Sequence, residues 1–241
     1  MKTAILVDGG FYRRRAQSLW GEKTAEERAS ELVEYCARHL HNKNRAYDHD
    51  LYRIFYYDCP PMERKVYHPY LKRTIDFGKS ELYVWMTEFI DQLKKKRKLA
   101  LRLGKLSDSQ AHYNLKYDVL KKLCNGTLDF GSLTEENFGI AVDQKGVDMK
   151  IGLDISSLAY KKQVDQIVLI SGDSDFVPAA KLARREGIDF ILDPLWGNIK
   201  PDLFEHIDGL HTCCSNPTAS SPMPLANMAA ETAIHECHTE N

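Results

Sequence analysis

The stretch "IVLISGDSDF", Ile167 to Phe176, runs four apolar residues into Ser-Gly and then sets Asp173 and Asp175 one residue apart. Carboxylates repel one another at close range and are costly to bury, so an apolar strand that delivers a pair of them needs a compensating partner. A further carboxylate, Asp8, closes the apolar run Thr3 to Val7 just before Gly9-Gly10. The segment "QKGVDMKIGLDISSLAY" supplies two more. Asp148 stands where a helix should begin and reads as its N-cap, and Asp154 lies about two turns on. Six positions apart they differ by roughly 120° around an ideal helix, so they do not share one face squarely. Three or more convergent carboxylates hold Mg2+ or Mn2+ through hard oxygen ligands. Such a cation offsets their repulsion and stabilises the charge that develops on a phosphodiester. Asp8, Asp148, Asp173 and Asp175 are therefore candidate metal ligands, and with Asp154 they are the candidate catalytic residues. Each has a plainer reading as a turn former, a helix cap or a solvated acid; the case rests on their recurrence at strand ends. Asp58, Asp143 and Asp193 also stand near expected strand ends and read as structural.

These acids need elements to position them. Thr3–Val7 reads as a buried strand ended by a tight turn. Thr24–Leu40 is a helix opened by the capping box "TAEE", and Leu51–Tyr57 is a second strand. Leu82–Leu93 carries an apolar stripe at helical spacing, "LALRLGKL" reads as a strand, and Gln110–Cys124 as a helix. Asp148–Lys162 is a helix, Gln166–Ile170 a strand, Phe176–Glu186 a helix with Gly187 at its C-cap, and Ile188–Leu192 a strand. A short helix and an edge strand follow around Leu203–Leu210. Strands alternating with helices predict an α/β fold with a parallel sheet covered on both faces, and the loops at its carboxyl edge form the natural site. From about Ser215 the composition turns to Ser, Pro, Ala and Thr, which predicts a disordered polar tail over 215–241.

Together "AILVDGGF", "QKGVDMKIGLDISSLAY" and "IVLISGDSDFVPAAKLARREGIDFIL" resemble the NYN domain, the PIN-like nuclease family that includes the LabA-type bacterial proteins. The resemblance spans residues 1–210. It implies a three-layer α/β/α fold with a mainly parallel sheet, here with a helical insertion at about 60–144. It also implies clustered metal-binding aspartates and ribonuclease activity. By motif, Asp8 matches the first-strand aspartate, Asp148 that of "KGVD", Asp154 the helix acid upstream of the last acidic strand end, and Asp173 and Asp175 those of "SGDSDF". One departure is Phe11, where many relatives carry asparagine in D-G-x-N.

A nuclease must hold a polyanion. Net charge is −1, so any phosphate contact must come from a local patch. The segment "KKKRKLALRLGK" has seven basic residues and no acid, which makes Lys94, Lys95, Lys96 and Arg97 a candidate phosphate track. Arg13, Arg14 and Arg15, next to Asp8, and Lys145, next to "GVD", are further candidates. Tyr12, Tyr56 and Tyr57 offer rings for base stacking. Ser171 and Ser174 offer hydroxyls to hold an aspartate.

The expected function is a metal-dependent endoribonuclease with Mg2+ or Mn2+ as cofactor and RNA as partner. The alternative is a non-catalytic RNA-binding or regulatory protein on the same fold. A haloacid-dehalogenase-type phosphatase would need D-x-D after the first strand, where Gly9-Gly10 stands, and no G-x-G-x-x-G follows a strand. No apolar run is long enough for a membrane span, and the five-residue run at the start is short for a secretory signal, so a cytoplasmic place is expected. The apolar stripe in the insertion would also suit a homodimer contact. The six cysteines form no C-x-x-C pair and are expected to be reduced. The late group His211, Cys213, Cys214, His235, Cys237 and His238 matches no zinc spacing, and no metal is expected there.

Overall fold

The computed structural model describes residues 1–41 and 49–217. In chain order come β1 (Lys2–Asp8), α1 (Gly9–Trp20), α2 (Ala25–Arg38), β2 (Asp50–Asp58), β3 (Lys65–His68), β4 (Arg73–Asp76), α3 (Glu81–Lys94) and β5 (Leu99–Leu103). They are followed by β6 (Lys105–Leu115), α4 (Tyr117–Cys124), β7 (Phe138–Lys145), α5 (Val147–Tyr160), β8 (Gln166–Ile170), α6 (Val177–Arg185), β9 (Asp189–Asp193), α7 (Pro201–Phe204) and β10 (Gly209–Leu210). Six strands form one sheet in the order β10-β9-β8-β1-β2-β5, every neighbouring pair parallel.

The apolar runs follow from burial on both faces. In β1, Ala4 and Leu6 face Ile151, Ile155 and Leu158 of α5 and Ala180 and Ala183 of α6. Ile5 and Val7 face Tyr12 and Ala16 of α1, Leu32 and Cys36 of α2, and Phe89 and Leu93 of α3. Each fully buried Val, Leu, Ile or Phe among them contributes about 1.5–3 kcal/mol. The expected three-layer α/β/α arrangement is present. β1 is central: the chain moves through α1 and α2 to β2 on one side, and only later through α5 to β8 on the other. The carboxyl ends of β1 and β8 therefore flank the point where strand order reverses, where open parallel sheets form their binding crevice.

Local signals account for several boundaries. The Thr24 hydroxyl accepts from the Glu27 N–H while the Glu27 carboxylate accepts from the Thr24 N–H, closing the capping box. α6 ends with Gly187 at φ 83°, where the N–H groups of Ile188 and Gly187 reach the carbonyls of Ala183 and Arg184. Other expectations change. After β1 the chain enters a helix, α1, where a tight turn was expected. The section between Pro60 and Gln144 holds α3 and α4 but also two antiparallel hairpins, β3–β4 and β6–β7. The helix expected over Gln110–Cys124 is strand as far as Leu115, because Tyr113 and Leu115 pair with Ile140 and Phe138; pairing with a distant partner overrides the local pattern. Four residues of the α3 stripe, Met86, Phe89, Ile90 and Leu93, are buried in the core, while Leu82 at its start stays exposed. Among the described residues no helix is long and apolar enough to cross a membrane, and the five described cysteines are free. The tail lies outside the described residues from 218 onward.

Candidate functional site

Asp8 ends β1 and caps α1. Its Oδ1 accepts the Phe11 N–H at 3.0 Å, and its Oδ2 accepts the hydroxyl of buried Ser171 at 3.2 Å. Gly9 lets the helix start at once: a Cβ there would lie 2.5 Å from the Tyr56 ring and 2.6 Å from the Tyr57 carbonyl oxygen. Ser171, just past β8, also accepts the Asp173 N–H at 3.3 Å, so one hydroxyl ties the ends of β1 and β8 together. Asp173 in turn caps the short turn Ser174–Phe176 by accepting the Asp175 N–H at 3.1 Å.

Asp148 arrives from the third segment. It is the second residue of α5 rather than its cap; the cap position belongs to Gly146, whose left-handed φ of 82° turns β7 into the helix. Gly104, between β5 and β6, sets the height of this junction. Its N–H donates to the Asp58 carbonyl at 2.7 Å, and an added Cβ would meet the Lys145 carbonyl oxygen at 2.7 Å and Val147 Cγ2 at 2.9 Å.

Asp148 links the acids electrostatically: it acts on Asp8, and Asp173 and Asp175 act on it. Burial raises the Asp8 carboxyl above its ordinary pKa; the bonds from Phe11 and Ser171 oppose this, Asp148 raises it further and Arg14 lowers it. Asp148 is raised by partial burial and then by the charges of Asp173 and Asp175. Among the described residues none of the four is in an ion pair. Asp154 stands apart from them. Its Oδ2 accepts the Tyr57 hydroxyl at 2.8 Å and Arg102 Nε at 2.9 Å, a neutralised contact that fastens α5 to β2 and β5.

Several candidate phosphate contacts have other partners. Arg13 clasps Asp58 with Nε and Nη2 at 2.9 and 3.1 Å, and Arg15 donates twice to the Leu195 carbonyl. Tyr12, Tyr56 and Tyr57 are buried and their hydroxyls donate to Glu31, Asp58 and Asp154, so none presents a stacking face. Lys94, Lys95, Lys96 and Arg97 precede the amino end of β5, whereas the aspartates stand at the carboxyl edge. Five residues of strand, about 16 Å, separate the run from that edge. Lys94 pairs with Asp91 and Lys96 with Ser30, so the run does not line the crevice. Arg14 and Lys145 remain exposed beside the acids, and Lys200, which the sequence did not single out, reaches Ser174 Oγ at 2.9 Å. Only tertiary structure brings Lys200 there, 26 positions along the chain. Phe11 lays its ring over Gly172 and Gly197, where a Cβ would lie 2.9 and 3.7 Å from the ring.

The donor set suits a hard cation: clustered carboxylate oxygens, two of them on acids whose pKa is raised, with no basic side chain paired to them. Among the described residues they do not draw three ligand oxygens within 4.8 Å of one another. Mg2+, which keeps several waters and binds through one or two carboxylates, fits such a spread. A cavity of about 350 Å3 lined by Arg13, Gln17, Lys23, Arg28 and Trp85 contains none of these acids.

A model of the NYN domain matches residues 70–200, which takes in Asp148, Asp154, Asp173 and Asp175 and begins after Asp8. The uncharacterized protein y4oD of Sinorhizobium fredii (strain NBRC 101917 / NGR234) is 30% identical over 110 residues, 37% of this chain and 51% of its own. The chain thus spans about half the length of the curated relative it matches. A solved structure of a protein of unknown function from Vibrio parahaemolyticus RIMD 2210633 aligns over 87% of this chain and 90% of its own, at 14% identity and a TM-score of 0.43.

Proposed function

The chain belongs to the NYN domain family of PIN-like nucleases, and from this premise we propose that it is a metal-dependent endoribonuclease that hydrolyses RNA phosphodiester bonds at the aspartate crevice. One observation carries the reading. Three separate segments deliver Asp8, Asp148, Asp173 and Asp175 to the strand-order reversal, where the charges of Asp173 and Asp175 help to raise Asp148, Asp148 helps to raise Asp8, and no basic side chain is paired to any of them. One or two of these four would hold Mg2+ or Mn2+ directly and the others through its waters. When bound, the cation neutralises charge gathering on the phosphoryl group.

The protein's own groups do the rest. Asp8, fixed by two hydrogen bonds, is the preorganised carboxylate. Asp148, raised in pKa and exposed, accepts a proton from the attacking water. Arg14, Lys145 and Lys200 hold flanking phosphates. Asp154 positions α5 through Tyr57 and Arg102.

The test is cleavage of single-stranded RNA by the full chain with Mn2+, Mg2+ or chelator, beside Asp173→Asn. Cleavage that needs metal and disappears in the variant supports the proposal. RNA binding without cleavage would transfer the crevice to the non-catalytic reading, and the absence of both would end the RNA assignment.

A further inference from the structure

On the sheet's other flank, the end of α2 meets the segment after β10. His39, 5% exposed, sets Nε2 2.9 Å from Asp193 Oδ2, and its Nδ1 is buried without a hydrogen-bond partner. His39, His211 and Cys213 each bring a ligand atom within 4.8 Å of the others. Cys213 Sγ lies 3.7 Å from His211 Nδ1, and the two imidazoles stand edge to face at 5.5 Å.

A hydrogen-bond network stands behind these groups. Asp193 is fully buried; Oδ2 also accepts the Tyr35 hydroxyl at 2.5 Å, and Oδ1 accepts the Leu195 N–H and the Thr212 hydroxyl, each at 2.8 Å. The Tyr35 hydroxyl in turn accepts the Cys213 N–H at 3.2 Å. A buried carboxylate that holds one histidine nitrogen fixes the tautomer and leaves the other nitrogen's lone pair for a metal.

We propose that His39 through Nδ1, His211 and the Cys213 thiolate form a Zn2+ site, separate from the aspartate crevice, with a fourth position open to water. Two imidazoles and one thiolate suit zinc and not the hard cations of the crevice. Tetrahedral Zn–N and Zn–S bonds put neighbouring ligand atoms roughly 3.3–3.6 Å apart, close to the 3.7 Å between Cys213 Sγ and His211 Nδ1, and the remaining pairs stand within 4.8 Å. Burial and the nearby Asp193 charge push the Cys213 thiol up to about 12, so binding releases its proton to solvent. The thiolate and Asp193 then balance the cation's two charges. A cleft of about 770 Å3 lined by Leu19, Trp20, Arg38, Cys213 and Cys214 gives access from solvent. The sequence hid the site because His39 and Cys213 are far apart along the chain. The metal would pin the end of the sheet domain to α2.

The test is Co2+ and Zn2+ titration of the reduced full chain. One equivalent should bind with a thiolate-to-cobalt charge-transfer absorption. Cys213→Ser should abolish that band, and both Cys213→Ser and His211→Ala should weaken Zn2+ by about 100-fold or more, with far-UV circular dichroism unchanged. Asp193→Asn should weaken it by about 10–100-fold. Cys214→Ser, Asp173→Asn and the triple change His235→Ala, Cys237→Ser, His238→Ala should all keep the band. Absence of stoichiometric binding, a band that survives Cys213→Ser, or a band lost with the triple change would each overturn the proposal.

Discussion

Across the sheet, β9, β8, β1 and β2 lead in turn to Asp193, Asp173, Asp8 and Asp58, and the outer two acids live in a different environment from the inner two. Asp58 is buried and receives two bonds from Arg13, one from Tyr56 and one from the Cys59 N–H. Asp193 is likewise buried and receives four donors. Asp8 receives two neutral donors, and Asp173 is exposed. The same residue type at the same edge is structural where donors saturate it, and open to a ligand where they do not.

The contrast breaks most sharply at Arg13. Arg13→Ala leaves the Asp58 charge buried without its cation and should cost about 3–5 kcal/mol, read from urea denaturation. A loss below about 1 kcal/mol would mean that Tyr56 and Cys59 suffice and that the outer acids are not held by charge.

Asp173→Asn should behave oppositely. Stability should stay within about 0.5 kcal/mol. Cleavage should fall by about two orders of magnitude or more, as expected when some 3 kcal/mol of transition-state charge stabilisation is removed. Asp8→Asn should match it in activity and keep the α1 cap, since asparagine caps as well as aspartate.

A subtler difference lies in pH. The folded-state pKa values of Asp8 and Asp148 are raised, so the stability these groups contribute is present below the ordinary value of 3.8 and lost as pH rises through the raised values. The melting temperature of Asp148→Asn should therefore gain on the wild type across the acid range and hold its lead at neutral pH, and Mn2+ should narrow the gap. The cleavage rate should fall on the acid side as the same carboxyls protonate. A variant that melts below the wild type at neutral pH would contradict the mutual repulsion.

The smallest effect concerns phosphate contacts. Replacing Arg14, Lys145 or Lys200 by alanine should each flatten the salt dependence of RNA binding by roughly 0.7 in log–log slope. Lys94→Ala and Lys95→Ala, at the sheet's other end, should leave the slope alone.

The sequence disclosed what short-range patterns encode. The strands of the sheet are legible because burial on both faces makes them unbroken apolar runs, and α2 and α6 carry their own caps. The β6–β7 hairpin is not, because Tyr113 finds its reason to be a strand at Ile140. Among the site residues, the aspartates announced themselves by their place after apolar runs. Their division into saturated and open acids did not, since Arg13 and Asp58 lie 45 positions apart and His39 and Asp193 lie 154 apart. The basic run shows the same limit: composition gives the charge, and topology decides which end of the sheet receives it.

Gly104 works as a spacer of zero thickness. The backbone of the β5–β6 junction rests directly on the Lys145 carbonyl with no side chain between them, and Asp148 stands three residues beyond that contact. The opening of the crevice on this side is thus set by the thickness of a peptide group. A single methyl at position 104 would jack the platform upward and carry Asp148 away from the other three acids, leaving every carboxylate present and the gauge between them wrong.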